Sequence, residues 1–442
     1  MILLTNKLNS QILPEIRFSI LVLFLIITMV CTKSVFATKY YIDQKRGCDQ
    51  NSGNIKHPWQ SLRSISTHHF DAGDTIFFRN GSQFTSNFEM KDSGTETNPI
   101  VLSTYGKGKA PRFTNPVFTQ ENMGRVLEIK GSFIVVEKLS FHDNPVPPSG
   151  LDPKLRHSNV TQMGVIFIHK GANFNVVKNC ELSNSPIGIR VRGEHNLITN
   201  NYLHDADSIT FNWGSIAIVV VGACNEIAFN KIHNYGYFGG SFGLDGAAIE
   251  LDGEDKLYDA HNINIHHNIS SNTKGGFVEI TRMTDNVTIA FNVSDDIDKF
   301  VGAVGVKNLH IVNNTVIRIR NPDLNQIVFW QLDQFAKRNS EFLIENNLIY
   351  INDRVRIYDT QARNWGIKSQ PRRNNLYFSP DTDVKTLMGV TMEASDFVCD
   401  PQFANLRKER FGLKKSSPAL LKGVGAYIGT LPEWKAGIEM PD

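Results

Sequence analysis

The sequence predicts an all-β protein, a single-stranded right-handed parallel β-helix (β-solenoid) with a cap at each end. Two patterns predict it. A short motif ending in asparagine recurs along most of the chain, and an alternating strand precedes several of its copies. No long segment after the first 37 residues shows a convincing 3.6-residue apolar stripe, which argues against a helical architecture.

The recurring motif is a β-branched or aliphatic residue, two further residues and then Asn. Its asparagines lie 22, 29, 38, 24, 22 and 33 residues apart. A period near 22 with enlargements fits a coil of three short strands, because a loop inserted at a turn leaves the stacked strands undisturbed. Asn tolerates left-handed backbone angles and can bond to the Asn of the next coil, so we expect an asparagine ladder. The copies are Val176–Asn179, Ile198–Asn201, Ile227–Asn230, Ile265–Asn268, Ile289–Asn292, Ile311–Asn314 and Ile344–Asn347, with weaker ones at Val135–Lys138 and Asn375.

A second strand, with period-2 alternation, lies five to eight residues before several of these motifs. A β-propeller would need longer and more regular blades, and a leucine-rich repeat would need a Leu-Asn consensus with a helical side. Both alternatives are therefore disfavoured. The alternating strands are Ile187–Arg192, Ile216–Val221, Ala247–Asp252 and Phe277–Arg282.

The N-terminal residues predict export. Lys7 and Arg17 precede the apolar run Phe18–Val30, which is too short to span a membrane but fits a signal peptide. We place the signal peptide at residues 1–37, with cleavage near Ala37, and expect a secreted or periplasmic protein without stable membrane association after cleavage. An uncleaved anchor is the alternative.

The remaining chain divides into an N-terminal cap with the first coils at residues 38–125, the repeats at 126–378 and a closing segment at 379–442. Caps are needed because an open β-helix end exposes unpaired strand edges. The spacing of Cys48, Cys180, Cys224 and Cys399 matches neither a zinc site nor a disulfide framework. Their oxidation state and the oligomeric state stay open.

The charge is nearly balanced, at a formal net +2 over 442 residues. Dispersed lysines and arginines argue against nucleic acid as a partner. No pattern indicates an organic cofactor.

One outward face of the alternating strands is chemically unusual. If Ile189, Ile249 and Val278 point inward, this face carries two arginines, an apolar step and then acidic residues on adjacent coils about 4.8 Å apart. Like charges one strand apart are destabilising unless a cation, an arginine or a shared proton compensates. The residues are Arg190, Arg192, Glu250, Asp252, Glu279 and Arg282.

Glu250, Asp252 and Glu279 are therefore candidate ligands of Ca²⁺, a hard ion that prefers oxygen. Asp245 opens the strand that carries Glu250 and is expected to reach the same cleft. A solvated acidic face balanced by Arg282 is the structural alternative.

The longest interval between motifs, 38 residues, lies beside this face and contains Tyr235 and Tyr237 among glycines. Such loops are usually functional or disordered, and aromatic side chains in them can stack on sugar rings. Capping of a coil edge is the alternative for either tyrosine. His204 and His233 each follow a ladder Asn by three residues, so we expect them to lie above each other as substrate contacts or a base.

Residues at both ends of the mature chain carry a family resemblance. Lys39–Leu62 and Ala72–Tyr105 resemble the opening of secreted right-handed parallel β-helix repeat proteins of the pectate-lyase-like superfamily, which includes polysaccharide lyases and glycoside hydrolases. Asp400–Phe403, Ser417–Ala419 and Gly425–Ala426 resemble the closing segment of that group. The resemblance implies the architecture and a polysaccharide substrate, and it matches no specific activity family.

We therefore expect an exported carbohydrate-active protein, in first place a lyase that cleaves a uronate-containing polysaccharide by β-elimination. Its catalytic candidates are Asp245, Glu250, Glu279 and Arg282; its substrate-binding candidates are Arg190, Arg192, His204, His233, Tyr235 and Tyr237. A glycoside hydrolase that uses the carboxylate pair is the second prediction, and a glycan-binding surface protein without catalysis is the third.

Overall fold

A computed structural model describes residues 37–115, 117, 122–144, 160–206, 208–210, 213–239, 243–252, 260–281, 284–304, 306–320, 326–331, 342–359, 371–406, 410–428 and 436–437. Lys39–Asp442 forms one compact unit, and Met1–Thr38 is a separate one. The predicted signal peptide lies outside the described residues, apart from Ala37. Arg282 also lies outside them.

Three long sheets of parallel strands, numbered β1–β40 along the chain together with the hairpin strands, form the body of the compact unit. Sheet A contains β1 (Lys39–Ile42), β2 (Thr75–Arg79), β5 (Ile100–Tyr105), β8 (Ile134–Glu137), β11 (Val176–Lys178), β14 (Leu197–Thr199), β19 (Glu226–Ala228), β24 (Ile263–His266), β27 (Thr284–Ala290), β30 (Val306–Val312), β33 (Phe342–Glu345) and β36 (Arg372–Arg373). Sheet B contains β4 (Phe88–Met90), β7 (Leu127–Ile129), β10 (Ile166–Ile168), β13 (Ile187–Val191), β18 (Ile216–Val220), β23 (Ala247–Leu251), β26 (Val278–Ile280), β29 (Val301–Ala303), β32 (Gln326–Gln331) and β35 (Val355–Tyr358).

Sheet C contains β3 (Gln83–Thr85), β6 (Arg112–Thr114), β9 (Ser140–His142), β12 (Glu181–Ser183), β15 (Tyr202–Ala206), β20 (Lys231–Tyr235), β25 (Ile269–Ser271), β28 (Val293–Asp295), β31 (Thr315–Arg318), β34 (Leu348–Ile351), β37 (Leu376–Phe378) and β38 (Phe397–Val398). Along the chain the strands visit sheets B, A and C in turn, once per coil. This is the predicted parallel β-helix.

Three short antiparallel hairpins and a few helices complete the described structure. The hairpins are β16 (Ser208–Thr210) with β17 (Trp213–Gly214), β21 (Tyr237–Gly239) with β22 (Gly243–Asp245), and β39 (Phe403–Asn405) with β40 (Arg410–Leu413). The helices are α1 (Arg63–Thr67), α2 (Pro418–Lys422) and a 3₁₀ helix at Val384–Leu387. None of the helices in the described ranges has the length and apolar character of a membrane span.

The core is one continuous stack of inward side chains. The motif residues Ile198, Ile227, Ile265 and Ile289 are fully buried and lie in this cluster, as predicted. Each buried aliphatic side chain contributes about 1.5–3 kcal/mol relative to an exposed one. The stack is closed at one end by Val384 and Met388, whose side chains belong to the same cluster.

The asparagine ladder is also confirmed. Each ladder side chain donates from its amide nitrogen to the amide oxygen of the next one at 2.9–3.1 Å, and all are fully buried. Its members are Asn201, Asn230, Asn268, Asn292, Asn314, Asn347 and Asn375.

Two details of the predicted ladder are wrong. Val177, not Val176, pairs with Ile198, so Cys180 takes the ladder position of its coil and Asn179 lies one residue before it. The left-handed backbone angle also belongs to the residue before the ladder asparagine. That residue is Phe229 in one coil, at φ 55°. The ladder asparagine therefore supplies hydrogen bonds, while its neighbour makes the corner.

The C-terminal segment both extends a sheet and covers its outer side. β38 adds a strand to sheet C, and the chain then packs Val424 against Leu348 and Leu376. The backbone N–H of Gly425 donates to the carbonyl of Asn346 at 2.8 Å. Residues after β38 therefore protect the flank of sheet C.

Candidate functional site

The acidic residues predicted to share one outward face do pair in register on sheet B. Glu250 on β23 lies directly opposite Glu279 on β26, and Val219 on β18 lies opposite Glu250. Arg190 on β13 is one strand further along the same column. The alternating sequence thus places the two carboxylates on neighbouring coils, whose strands lie about 4.8 Å apart.

A cavity of about 660 Å³ opens above this column. Five carboxyl groups and two cationic side chains of the described residues line it: Asp245, Glu250, Asp252, Glu279, Asp298, Arg190 and Lys299. Apolar side chains including Trp213, Leu244, Ile327 and Trp330 form the remaining walls. The combination of acidic and aromatic surface suits a ligand with hydroxyl groups and apolar ring faces.

Two inserted hairpins build one side of the cavity. β16–β17 and β21–β22 both lie where the chain passes from sheet C to sheet B. The second hairpin ends in Asp245, whose carboxylate accepts the backbone N–H of Gly214 in the first hairpin at 3.0 Å. Gly246 then turns into β23 at φ 92°, where a Cβ would lie 2.3 Å from the carbonyl of Ser215. Glycine is therefore required to bring Asp245 to the mouth of the cavity.

Between the arginines and the carboxylates, the outward face of sheet B carries apolar side chains, and the inserted residues before β18 cover them. Val219 and Val221 are almost completely buried in a second apolar cluster, which also contains Ile209 and Met163. The cluster fixes the first hairpin, β16–β17, against sheet B. As a result the carboxylate pair lies beside a packed wall and not on an open sheet face.

Burial raises the pKa of Glu250 well above its ordinary value, and repulsion by Asp252 and Glu279 adds to the effect. Arg190 opposes it. The Thr281 hydroxyl contacts both Glu250 and Asp252, at 3.5 and 3.2 Å. Glu250 is therefore the member of the pair with the better support for carrying a proton, as a general acid must.

Glu279 has a different neighbour. Burial raises the pKa of Glu279 above its ordinary value as well, and the Lys299 ammonium, 3.7 Å from its carboxylate, offsets part of this increase. Lys299 also contacts Asp298 at 3.2 Å. Burial alone would lower the pKa of Lys299, but Glu279 and Asp298 outweigh it and raise the value, so the amine stays charged. Glu279 is thus the carboxyl group with the better support for ionisation.

Arg190 is a buried anchor as well as a cavity residue. Its guanidinium donates to the carbonyls of Met163 at 2.7 Å and Val160 at 2.9 Å, and the residue is 2 % exposed. Arg192, two residues later, stands over the ring of Phe167 at 5.9 Å and does not line the cavity. The two arginines predicted as a pair therefore have different environments.

Tyr235 is a correction among the predicted substrate contacts. It is fully buried in the core and its hydroxyl donates to the carbonyl of Ser185 at 3.2 Å. It belongs to β20 and not to the inserted hairpin, so its ring points inward. Tyr237 lies in the hairpin opposite Asp245, partly exposed, but outside the lining of the cavity.

His204 and His233 lie directly opposite each other on β15 and β20, as predicted. They belong to sheet C, however, while the carboxylates belong to sheet B. Glu181 lies between His204 and His142, 3.4 and 3.5 Å from their ring nitrogens. The structure thus forms a separate histidine–carboxylate cluster, which does not line the cavity.

This cluster predicts a pH dependence of stability. Hydrogen bonds from His142 and His204 hold the pKa of Glu181 far below its ordinary 4.5, so its contribution is present above pH 4.5 and is lost as pH falls towards the folded-state pKa. Burial opposes protonation of His204, but Glu181 and Asp205 raise its pKa above 6.5. That contribution is complete below pH 6.5 and is lost as pH rises through the folded-state pKa.

We expect Glu181→Gln to lower the thermal midpoint most between pH 4.5 and 6.5, the interval in which both contributions are present. Thermal unfolding followed by circular dichroism from pH 4 to 9 measures it. A decrease of equal size at every pH would contradict a role for the ion pairs.

Asp298 and Lys299 also line the cavity, and they were not predicted from the sequence. They form the turn between β28 on sheet C and β29 on sheet B, and only the folded coil brings that turn beside Glu279. The sequence feature that could have indicated them is an Asp-Lys pair shortly before a strand of sheet B.

The three predicted calcium ligands all line the cavity: Glu250, Asp252 and Glu279. No group of three His, Cys, Asp or Glu side chains in the described ranges is arranged to hold one metal ion. Glu279 has Lys299 as its partner, which leaves Glu250 and Asp252 as neighbouring oxygen donors.

A parallel β-helix with a carboxylate pair in a partly aromatic cavity defines a class, the carbohydrate-active β-helix proteins. A comparison of the sequence with protein-family models identifies the family within this class. The chondroitinase B model matches residues 64–298, more than half of the 442 residues, and the chain belongs to this family. The protein is thus a carbohydrate-active enzyme. No curated protein sequence matches the chain.

Solved structures share the fold. The GH136 lacto-N-biosidase from Eubacterium ramulus superposes with a TM-score of 0.54 at 13% identity, over 82% of this chain and 68% of its own. A rhamnogalacturonan lyase superposes with a TM-score of 0.51 at 14% identity, over 91% of this chain and 100% of its own. At these identities the likeness shows the fold alone.

Proposed function

We propose that the protein is a polysaccharide lyase that cleaves a uronate-containing polysaccharide by β-elimination in the cavity above sheet B. One observation carries the proposal: in a member of the chondroitinase B family, Glu250 and Glu279 face this cavity in register on adjacent coils. The family name supports an acidic polysaccharide as the substrate.

In β-elimination a base removes the proton beside the sugar carboxyl group, and an acid protonates the oxygen that leaves. Glu279, beside Lys299, is the proposed base because a carboxylate accepts the proton. Glu250 is the proposed acid, since burial and its acidic neighbours raise its pKa. Asp245 and Asp252 line the same cavity and set the charge around the pair.

A panel of uronate-containing and neutral polysaccharides tests the proposal. A lyase produces unsaturated ends that absorb ultraviolet light. New reducing ends without this absorbance would instead indicate a hydrolase. Binding without cleavage of any substrate would contradict both activities.

A glycoside hydrolase is the second candidate, and the different surroundings of the two carboxyl groups favour it. One proton-bearing and one ionised carboxyl group are what acid and nucleophile require. Adjacent strands are about 4.8 Å apart, near the roughly 5–5.5 Å between carboxyl groups that accompanies retention. Neutral substrates in the same panel address this alternative.

We also propose that Asp252 and Glu250 can bind Ca²⁺. This is an alternative to Glu250 acting as the acid, because a carboxyl group that binds a metal ion is ionised. The described lining holds five carboxyl groups against two cations, and repulsion by Asp252 and Glu279 adds to the burial that raises the pKa of Glu250. A hard divalent ion relieves such repulsion through oxygen ligands. Bound there, it would supply positive charge to a substrate carboxylate.

If calcium binds, millimolar CaCl₂ is expected to raise the thermal midpoint of the EDTA-treated enzyme, because a ligand that binds only the folded state stabilises it. Asp252→Asn is expected to abolish the increase. Differential scanning fluorimetry measures both, with Asp285→Asn, remote from the cavity, as the control. An equal increase in wild type and Asp252→Asn would contradict this site.

Export is proposed on the N-terminal sequence alone. Expression of the full chain in a host that secretes proteins, followed by N-terminal sequencing of the product, is expected to find a mature chain that begins near Thr38. A product that retains residues 1–37 would contradict cleavage.

A further inference from the structure

Lys299 is the cationic side chain at the acidic end of the cavity. Its side chain is 13% exposed, and its ammonium lies 3.2 Å from the Asp298 carboxylate and 3.7 Å from that of Glu279. Both contacts come from residues that also line the cavity. The charge is therefore fixed where a ligand would touch it.

The ammonium has more hydrogen-bonding capacity than these contacts use. It carries three N–H donors. Within the part of the chain that the structure describes, it donates one hydrogen bond, to Asp298, because 3.7 Å is beyond hydrogen-bond length. A largely buried cation with remaining donors gains from an oxygen ligand that enters the cavity.

The turn that carries Lys299 is held from beneath by Arg318. This arginine is fully buried, and its guanidinium donates to the backbone carbonyls of Asp298 and Lys299, the latter at 3.1 Å. It also donates to the carbonyl and the hydroxyl of Ser294, each at 2.9 Å. Burying a guanidinium is costly, so a network that satisfies it with carbonyls of one turn fixes that turn.

Gly302 leaves space for the Lys299 side chain. A Cβ at this position would lie 2.6 and 2.7 Å from Lys299 Cδ and Cε and 3.4 Å from the Trp330 ring. Gly302 is paired with Glu279 on one side and with Trp330 on the other. The lysine chain and the indole therefore both pack over this glycine, which places a cation next to an aromatic wall.

We propose that Lys299 and Trp330 form an acidic-sugar subsite, in which the ammonium binds the sugar carboxylate and the indole packs on the ring, and that Arg318 and Gly302 position the lysine. The inference rests on the proposed function, because it assigns the substrate to the same cavity. A fixed cation needs no reorganisation as negative charge develops on the bound carboxyl group. The indole matches the apolar face of a uronate ring, and the ammonium matches its carboxylate.

Calorimetry with a uronate disaccharide and its carboxyl-reduced counterpart tests the subsite without relying on turnover. We expect the wild-type enzyme to bind the acid on the order of 10-fold more tightly or better, which is the size of one charge-assisted hydrogen bond. Lys299→Met is expected to bind both sugars alike, and Lys299→Arg to keep part of the preference. Lys307→Met, which removes an exposed lysine on sheet A, is the matched control and is expected to behave as wild type.

The positioning residues are tested in the same assay. Arg318→Lys keeps the charge but cannot make the same set of hydrogen bonds, and Gly302→Ala leaves that network intact while it displaces the lysine chain. Both are expected to reduce the preference for the acid several-fold. If Arg318→Lys fails to fold, the Gly302→Ala variant alone tests whether the position of Lys299 determines the preference.

Equal binding of acid and reduced sugar by the wild type would overturn the subsite, as would an undiminished preference in folded Lys299→Met. An unchanged preference in folded Gly302→Ala would overturn the positioning part. The polysaccharide panel reports separately on the proposed function. Cleavage with no carboxylate preference leaves the lyase or hydrolase activity in place and removes only this inference.

Discussion

Glu279→Gln and Glu250→Gln are each expected to lower kcat by about 10²–10⁴-fold on the substrate that the panel identifies, the usual cost of losing a general acid or base. Glutamine keeps the size and hydrogen-bonding shape of the side chain but cannot exchange a proton. Initial rates at saturating substrate measure the loss.

The matched control is Glu226→Gln, which changes a half-exposed glutamate on sheet A, outside the cavity. It is expected to retain wild-type kcat. Because the substitutions relieve repulsion between buried carboxyl groups, Glu250→Gln is also expected not to lower the thermal midpoint. Full activity in either cavity variant, with the fold intact, would place the chemistry elsewhere.

Asn268→Ala is expected to cause a large loss of stability. The side chain donates to the carbonyl of Ile227 at 2.8 Å and accepts from the backbone and side-chain N–H groups of Asn230 at 2.9 and 3.0 Å. Each buried group left without a partner costs about 1–3 kcal/mol. Urea unfolding followed by circular dichroism measures the change in the free energy of unfolding.

Asn264→Ala is the control for that experiment, since Asn264 is an exposed residue on the adjacent strand β24. It is expected to change the free energy of unfolding by less than about 0.5 kcal/mol, as surface substitutions usually do. If the two variants were equally stable, the ladder would be an incidental arrangement of amides and not a source of stability.

Much of the fold was predictable because its signal is local and repeated. The period near 22 residues specified the coil, and the alternation around Glu250 specified which side chains leave the core. A shift of one residue would have turned this carboxylate inward, and the observed register agrees with the predicted one. Asn179 was assigned to the ladder wrongly because the motif is short and variable. A shift of one residue changes the intervals between its copies too little to be recognised.

The site was only partly predictable, because its remaining members come from turns. Tyr235 looked like a loop aromatic, yet it continues β20 and points into the core. Lys299 belongs to no sequence motif, and its contact with Glu279 depends on the turn that Arg318 holds in place.

The sequence by itself determined the coil, the direction of the residues in the four alternating strands and the presence of a carboxylate pair on one face, since these follow from periodicities of 22 and 2 residues. The tertiary structure alone decided that this pair lies in a covered cavity and has a lysine for a partner. It also decided that the two histidines belong to another sheet. Those outcomes depend on how turns of different coils pack, and a strand pattern carries no information about that packing.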